Sequence, residues 1–385
     1  MKVFLFLLTL VFSFSVFSQA ETEKKEKSIQ RERENEVKSN SNAPTRVEPS
    51  MEEIQIDAAP AGNAYFGVES YAVQESASKI KETLKEVSYL TNQKYPTTEQ
   101  QQTLNFELSK IESVNQNTFE YFLYRYKIGN YDFNRISDLK KAHKLKPNHP
   151  EVLKSLAAYY YINNKDIELK ESLKSMHSAK HFSNQLSSFA NDVLNSLPKN
   201  AVFITHGDED TYPLLIEQVI NKTRTDIHIV SLDHLQSSDY RNKLKAKGFK
   251  LPSKDKVNTS FFNEFVSLNN GRNIVVATTI PKDYITSISS EIIVDGLGYS
   301  FGREQKGHKR QLVKTFESEI ENKLKTKLDE KKSNKLLANY LPLLFEIRNY
   351  WIDEKDDSEV KEIENYILEI GKYTGKSEMV QNLLK

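Results

Sequence analysis

The sequence predicts an α/β domain, built on a small parallel sheet and flanked on both sides by all-α regions. Three observations lead to this fold class. Short β-branched runs alternate with helical segments between residues 198 and 305. Apolar residues recur at three- and four-residue spacing before and after that region. The chain of 385 residues, 38% of them hydrophobic, is long enough for two or three domains with real cores.

Four apolar, β-branched runs predict the strands of the sheet. They lie at residues 201–205, 227–231, 273–278 and 291–294. Pro213 suits the first turn of a helix after the first run, and further helices are expected over 238–246 and 259–269. A strand, a helix and a strand within about 30 residues form a βαβ unit. We therefore expect a small parallel Rossmann-like sheet in a domain at 198–305.

The region from 63 to 197 has helical periodicity, and part of it resembles tetratricopeptide repeats, which are helix-turn-helix units of about 34 residues. The turn GNYD at 129–132, Ala142 and the helix-ending KPNHP at 146–150 carry the resemblance, together with Leu156 and Tyr160. Leu169 and Met176 depart from it, since the repeat prefers alanine at those positions. The resemblance implies stacked helix pairs and a shallow concave surface for a protein partner.

The N-terminal sequence predicts export. Residues 1–20 combine an early lysine, an apolar run and small residues near Ser18 and Ala20, as a signal peptide does. The alternative is a membrane anchor, but the apolar run is shorter than the roughly 20 residues that span a bilayer. Residues 21–62 read as a disordered, charged linker. We expect a periplasmic or other extracytoplasmic protein with no transmembrane segment after cleavage.

The C-terminal region, 306–385, returns to helical periodicity, with Leu312, Phe316, Ile320 and Leu324 at four-residue steps. The chain has no cysteine, so packed cores and not disulfides must stabilise it. The 54 basic residues are balanced by 53 acidic ones. This composition argues against a nucleic-acid partner.

The motif HGDED, at 206–210, is the strongest candidate for a functional site. It follows the first predicted strand and opens a helix, where parallel α/β sheets bind ligands. Carboxylates are hard oxygen ligands, so Asp208 and Asp210 are candidate metal ligands and a divalent cation is the one cofactor that the motif suggests. The structural alternative is helix capping by Asp210 or Thr211. The candidate ligand-binding residues are His206, Gly207, Asp208, Glu209, Asp210, Thr211 and Asp233.

The common motifs of catalysis and phosphate binding are missing from the sequence. It has no GxSxG elbow and no HExxH, and the glycines of GLGYSFG at 296–302 lack dinucleotide-binding spacing. No catalytic residue is therefore assigned, and a non-catalytic protein is favoured over an enzyme. No cofactor other than the divalent cation is expected.

Several segments of the sheet region resemble the soluble C-terminal part of bacterial membrane proteins of the protein O-mannosyltransferase-like family. The segments are LPKNAVFITHGDEDTYPLLIEQ, RTDIHIVSLDHL and RNIVVATTI, followed by a glycine-leucine-aromatic turn at 296–299. The first resembles the family's strand and G-D-N-D-T-F-P signature, with Glu209 and Tyr212 in place of asparagine and phenylalanine. The resemblance covers about 185–305 and implies an extracytoplasmic α/β domain. The family's catalytic membrane half has no counterpart here, so glycosyl transfer is not implied.

These observations predict an exported, non-catalytic scaffold or binding protein with a protein partner, an accessory of a cell-envelope glycosylation or secretion assembly. The alternative is a metal-assisted enzyme or a sugar or peptide receptor that uses the HGDED loop.

Overall fold

The structure is a computed structural model that describes residues 62–288 and 290–385. The expected signal peptide lies outside the described residues, as does the expected linker up to residue 61. No helix of the described part of the chain combines the length and apolarity needed to cross a bilayer.

Over the described residues the protein is mostly helical, with one small sheet. Within this part of the chain seven α-helices precede the sheet: α1 (Gly62–Tyr89), α2 (Thr98–Val114), α3 (Phe119–Lys127), α4 (Ile136–Leu145), α5 (Pro150–Ile162), α6 (Asp166–Ser178) and α7 (Asn184–Ser196). Local sequence explains several of their ends. Thr97 and Gln100 form a capping box before α2, Ser183 caps α7, and Pro150 occupies the first turn of α5.

Five strands form the sheet: β1 (Val202–Thr205), β2 (His228–Ser231), β3 (Ile274–Ala277), β4 (Ile292–Val294) and β5 (Gly298–Phe301). The helices between them are α8 (Asp208–Val219), α9 (Ser238–Ala246), α10 (Thr259–Leu268) and α11 (Lys282–Thr286). The C-terminal helices are α12 (His308–Thr315), α13 (Glu321–Asp329), α14 (Leu341–Glu354), α15 (Asp357–Thr374) and α16 (Ser377–Leu384), with a π-helical segment at Phe316–Ile320.

The sheet has the order β2-β1-β3-β5-β4 and is mixed. β1 pairs in parallel with both β2 and β3, with Phe203 opposite Ile229 and Val275. β5 runs antiparallel to β3 and to β4. The expectation of a wholly parallel sheet is therefore wrong for its last two strands. Only residues 295–297 join β4 to β5, and a parallel connection needs about a dozen residues or more.

Two hydrophobic cores hold the described part of the chain together. One lies among α1 to α5, and the other joins the sheet, α6, α7 and the C-terminal helices. Helix α5 belongs to both, because Val152 and Leu156 lie in the first core and Leu153 and Ala157 in the second.

Candidate functional site

The carboxyl ends of the three parallel strands meet at one edge of the sheet, where HGDED was expected to lie. His206 follows β1, Leu232 and Asp233 follow β2, and Thr278 and Thr279 follow β3. In the sheet β1 lies between β2 and β3. The connection after β1 leads to β2 on one side, and the connection after β2 leads to β3 on the other side of β1. Ligands of open α/β sheets bind at such a switch point. The carboxyl edge is therefore where a sheet of this topology binds ligands.

Gly207 makes the turn from β1 into α8. Its backbone has φ 78° and ψ 176°, a region that residues with a side chain enter only with strain. Its N–H donates a hydrogen bond to Asp233 Oδ2 at 2.6 Å. Gly207 is also the N-cap residue of α8, so neither Asp210 nor Thr211 occupies the N-cap position that the sequence suggested. The Thr211 hydroxyl instead donates to the Gly207 carbonyl at 2.8 Å and lies 2.7 Å from that of Thr205.

The acids of the motif point to different partners within the chain. Asp208 forms an ion pair with Lys154 of α5 at 2.8 Å. Asp210 accepts hydrogen bonds from the hydroxyl of Thr279 and from the backbone N–H of His206.

The two remaining acids at this edge differ in their surroundings. Asp233 is paired with Lys94 at 3.0 Å, and the Lys94 side chain is only 3% exposed. Glu209 is exposed to solvent. The structure thus brings His206, Gly207, Asp210, Thr211 and Asp233 together, whereas Asp208 pairs with Lys154 and Glu209 is exposed.

The acids expected to bind a metal ion have partners within the chain. No group of three or more His, Asp or Glu side chains within residues 62–288 and 290–385 is arranged to hold a metal ion. Asp208 and Asp210, the two proposed ligands, each have a neutralising or hydrogen-bonding partner from another element. A Ca²⁺ ion would need six or more oxygen ligands around one point.

Burial and neighbouring charges shift the pKa values of three side chains at this edge, those of Asp210, Asp233 and His206. Burial raises the pKa of Asp210 to about 7. Burial alone would raise the pKa of Asp233, but the Lys94 ammonium outweighs it and holds that pKa well below its usual range. Burial, helped by the same ammonium, lowers the pKa of His206 to about 4. At neutral pH the edge therefore holds a neutral imidazole, an intact Lys94–Asp233 ion pair and a carboxyl group that is partly protonated.

Little open space remains at the switch point. Glu209, Asp210 and Thr279 line a cavity of about 20 Å³, together with apolar side chains of α7 and β3. A cavity of this volume holds about one water molecule. The hydrogen bond between Thr279 and Asp210 closes the crevice between the ends of β1 and β3.

His234 lies in the interior of the protein. It is 2% exposed, and four tyrosine rings surround it at centroid distances of 5.6–6.3 Å. Burial lowers the pKa of His234 to about 4, so the ring is neutral. The surrounding tyrosines are Tyr131, Tyr161, Tyr212 and Tyr240.

Sequence reasoning did not find the partners of the acids. Lys94, Lys154 and Thr279 lie in three separate elements, and no local motif marks them. The available signal was chemical: several acids near one edge of a sheet need cations or hydrogen-bond donors nearby. The buried hydroxyl of Tyr284, which has no hydrogen-bond partner in the described part of the chain, was also missed.

We expect Gly207→Val to lower the free energy of unfolding by about 1–3 kcal/mol, because valine is strained at this backbone conformation. A Cβ at this position would meet no atom within 4 Å, so the cost comes from the backbone alone. Urea denaturation measures the loss. Gly271→Val is the matched control, since its Cβ also has open space and its φ is not positive. Equal stability of the two variants would contradict the assignment of strain.

Comparison with known proteins supports a different family from the one suggested by the sequence motifs. The family model described as TMEM260-associated domain 2 matches residues 186–344, from α7 through the sheet to the start of α14. No curated protein and no solved structure matches the chain. The expected resemblance to the O-mannosyltransferase-like family is therefore wrong, and over residues 186–344 the chain is similar to TMEM260-associated domain 2.

Proposed function

We propose that the chain is an exported, non-catalytic scaffold or binding protein. One observation carries the proposal: lysine side chains of this same chain form ion pairs with two of the acids at the carboxyl edge of the sheet. Lys94 and Lys154, from the helical region before the sheet, neutralise Asp233 and Asp208. The HGDED loop therefore acts as a joint that fixes the helices to the sheet.

The contact around Lys154 supports the role of a joint. Its ammonium lies 2.6 Å from Glu151 and 2.8 Å from Asp208, and its carbonyl accepts a hydrogen bond from the Tyr212 hydroxyl at 2.8 Å. Burial alone would lower the pKa of Lys154, but the two carboxylates outweigh it and raise that pKa. Lys154 is therefore charged at neutral pH and connects α5 to the first turn of α8.

We also propose that the sheet has a Rossmann-like core and that the helices before it form tetratricopeptide-like pairs. The parallel order β2-β1-β3 and the helices between those strands support a Rossmann-like core. The succession of helices of 9–13 residues from α3 to α6 supports tetratricopeptide-like pairs. A protein partner on the helical surface, rather than a nucleic acid, and an extracytoplasmic location follow from the sequence reasoning alone. A link to a glycosylation assembly rested on the O-mannosyltransferase resemblance and is dropped with it.

A receptor for a small polar ligand at the HGDED edge is the second candidate. The hydroxyl of Tyr284 and Nε2 of His206 are both buried without a hydrogen-bond partner in the described residues. Buried polar groups usually have a partner, so these two atoms favour a bound polar molecule. Against this candidate stands the cavity beside Asp210, which holds only about 20 Å³ and is lined by neither Tyr284 nor His206.

Asp210→Asn tests the joint against the ligand site. The folded pKa of about 7 lies above the ordinary aspartate value of 3.8, so the folded protein binds an extra proton between these pH values. Stability of the unmodified protein therefore falls as pH rises through this window, whereas asparagine does not titrate. Because Asp210 is half-buried, we expect the variant to be more stable at pH 8 by on the order of 1–2 kcal/mol, with the gain lost near pH 4. Chemical denaturation at the two pH values measures the difference.

Titration calorimetry of the unmodified protein with Ca²⁺, Mg²⁺ and Mn²⁺ completes the test. The joint predicts no saturable heat from any of the three ions. Asp239→Asn is the control for Asp210→Asn, since Asp239 is exposed and lies outside the HGDED edge, in the first turn of α9. Saturable metal binding that Asp210→Asn abolishes at unchanged stability would overturn the proposed function in favour of a metal-dependent site.

A further inference from the structure

A large cleft lies at the opposite edge of the sheet, away from HGDED. Its volume is about 1170 Å³, large enough for several residues of a peptide. Lys199, Asp226 and Asn273 line it, and they lie within three residues of the starts of β1, β2 and β3. The facing wall comes from the β4–β5 hairpin, the loop at 303–307 and the start of α12. The cleft thus lies at the amino edge of the three parallel strands.

The walls of the cleft are held in place by internal contacts. The Arg224 guanidinium pairs with Asp226 at 2.8 Å and donates hydrogen bonds to the carbonyls of Leu194, Leu197 and Pro198. On the hairpin side, the backbone N–H of Leu297 donates to the Ser196 hydroxyl at 2.9 Å. Both contacts tie the amino edge to the end of α7. The cleft is therefore a preformed feature.

The loop and helix on one wall are strongly basic. Residues 303–314 contain five lysine and arginine side chains and one glutamate, in a chain whose net charge is only +1. Arg303, Lys306, Arg310 and Lys314 are exposed, and none has an ion pair or hydrogen bond with another described residue. Arg303 and Lys306 line the cleft, and so does Lys199 on the opposite wall, which is likewise unpaired.

The acids of the cleft compensate for this charge only in part. Asp226 already forms an ion pair with Arg224. Asp295 is half-buried beside the Ser300 hydroxyl and His308, and burial raises its pKa. Glu304 and Glu319 remain on the exposed rim. The unpaired cations on both walls are therefore available to a ligand.

The floor of the cleft is apolar. Buried side chains of Leu197, Ile274, Ile288 and Leu312 line it, and the half-buried Phe301 lies beside them. An apolar floor between cationic walls fits a ligand that carries both apolar side chains and carboxylates. Exposed amides on the rim, such as those of Asn270 and Gln305, suit the hydrogen bonds of a peptide backbone.

We propose that this cleft binds an extended acidic peptide segment of a partner protein. Its carboxylates would contact Lys199, Arg303 and Lys306, and its apolar side chains would cover the floor. The proposal rests on the proposed function of a binding protein and adds a site at the sheet, separate from the helical surface, and the chemistry of the segment that it binds. A single-stranded nucleic acid fits less well, because its bases need several aromatic stacking platforms. Among the described lining residues only Phe301 and His308 carry aromatic rings, and the His308 ring is held by a hydrogen bond with the Val294 carbonyl. An anionic membrane would need an exposed amphipathic face and not a concave cleft.

Selection from a phage-displayed library of random peptides on the full chain tests this proposal. We expect enriched peptides that combine Asp or Glu with apolar residues and whose affinity falls with added salt. Fluorescence anisotropy with synthetic versions of the enriched peptides should show at least about a tenfold loss of affinity in the triple variant Lys199→Glu, Arg303→Glu, Lys306→Glu. The matched control carries Lys140→Glu, Lys170→Glu and Lys174→Glu, which are exposed lysines on helices before the sheet. The control should bind within about twofold of the unmodified chain.

Three results would overturn the proposal: no enrichment, enrichment of neutral or basic peptides, or equal binding of acidic peptides by the triple variant. Tighter binding of an oligonucleotide or of vesicles with anionic lipid than of any selected peptide would also overturn it. If the triple variant fails to fold, Lys199→Glu and Lys306→Glu are measured singly, with a loss of about threefold or more expected for each. Metal calorimetry reports on the HGDED joint separately, so a failure of the cleft and a failure of the proposed function are distinguishable.

Discussion

Asp233→Ala is expected to lower the free energy of unfolding by about 3–5 kcal/mol, as breaking a buried ion pair does. The change leaves the Lys94 ammonium, whose side chain is only 3% exposed, without its counter-charge. It also removes the acceptor for the backbone N–H of Gly207, so the turn into α8 loses a hydrogen bond. Urea denaturation followed by circular dichroism measures the loss.

The pH dependence of the Asp233→Ala effect provides an internal check. Because Lys94 holds the folded pKa of Asp233 below its unfolded value, the carboxylate stabilises the fold above about pH 4. This contribution is lost as the pH falls further toward the folded pKa, so the two proteins should converge in acid. Asp239→Ala is the matched control, since that residue is exposed in the first turn of α9. If Asp233→Ala lowered the free energy of unfolding at pH 7 by no more than Asp239→Ala does, the proposed role of HGDED as a joint would be refuted.

Asp192→Ala is expected to be comparably destabilising, by about 3–5 kcal/mol, at a second junction. Asp192 of α7 is fully buried, and its carboxylate accepts hydrogen bonds from Lys327 of α13 and from the Tyr340 hydroxyl at 2.6 Å. Lys323 approaches the same carboxylate at 3.6 Å. Alanine would leave a nearly buried ammonium and a buried phenol without their acceptor. Thermal and chemical denaturation measure the effect.

Asp329→Ala serves as the control for Asp192→Ala, because Asp329 is an exposed acid at the end of α13. Surface changes of this kind alter stability by roughly 0.5 kcal/mol or less. If Asp192→Ala were as mild as the control, Asp192 would not join α7 to the C-terminal helices. The two junction variants also act at separate places, so their effects should add when combined.

Local pattern was enough to predict the parallel part of the sheet. The β-branched runs at 201–205, 227–231 and 273–278 contain β1, β2 and β3, and the helices expected over 238–246 and 259–269 correspond to α9 and α10. Such runs mark strands that are buried on both faces. The same reasoning placed HGDED and Asp233 at the ends of neighbouring strands, where the structure has them.

The features that decide the role of HGDED depend on distant contacts. Lys94 and Asp233 are far apart in sequence, as are Lys154 and Asp208, and periodicity carries no information about such pairs. Strand β5 was also missed, because its glycine and the turn before it suggested a loop. Gly298 is required there for a different reason: a Cβ would lie 2.7 Å from the carbonyl oxygen of Val276 on the neighbouring strand.

Helix α5 has a consequence for how the molecule opens. Val152 and Leu156 pack into the core of the first helices, whereas Leu153 and Ala157 pack into the core that contains the sheet. Unwinding this helix would expose apolar side chains of both cores at once, so the free-energy cost includes lost burial from each of them. The two cores therefore do not behave as independent cooperative units. Local unfolding that begins in the N-terminal helices either stops before α5 or continues into the sheet.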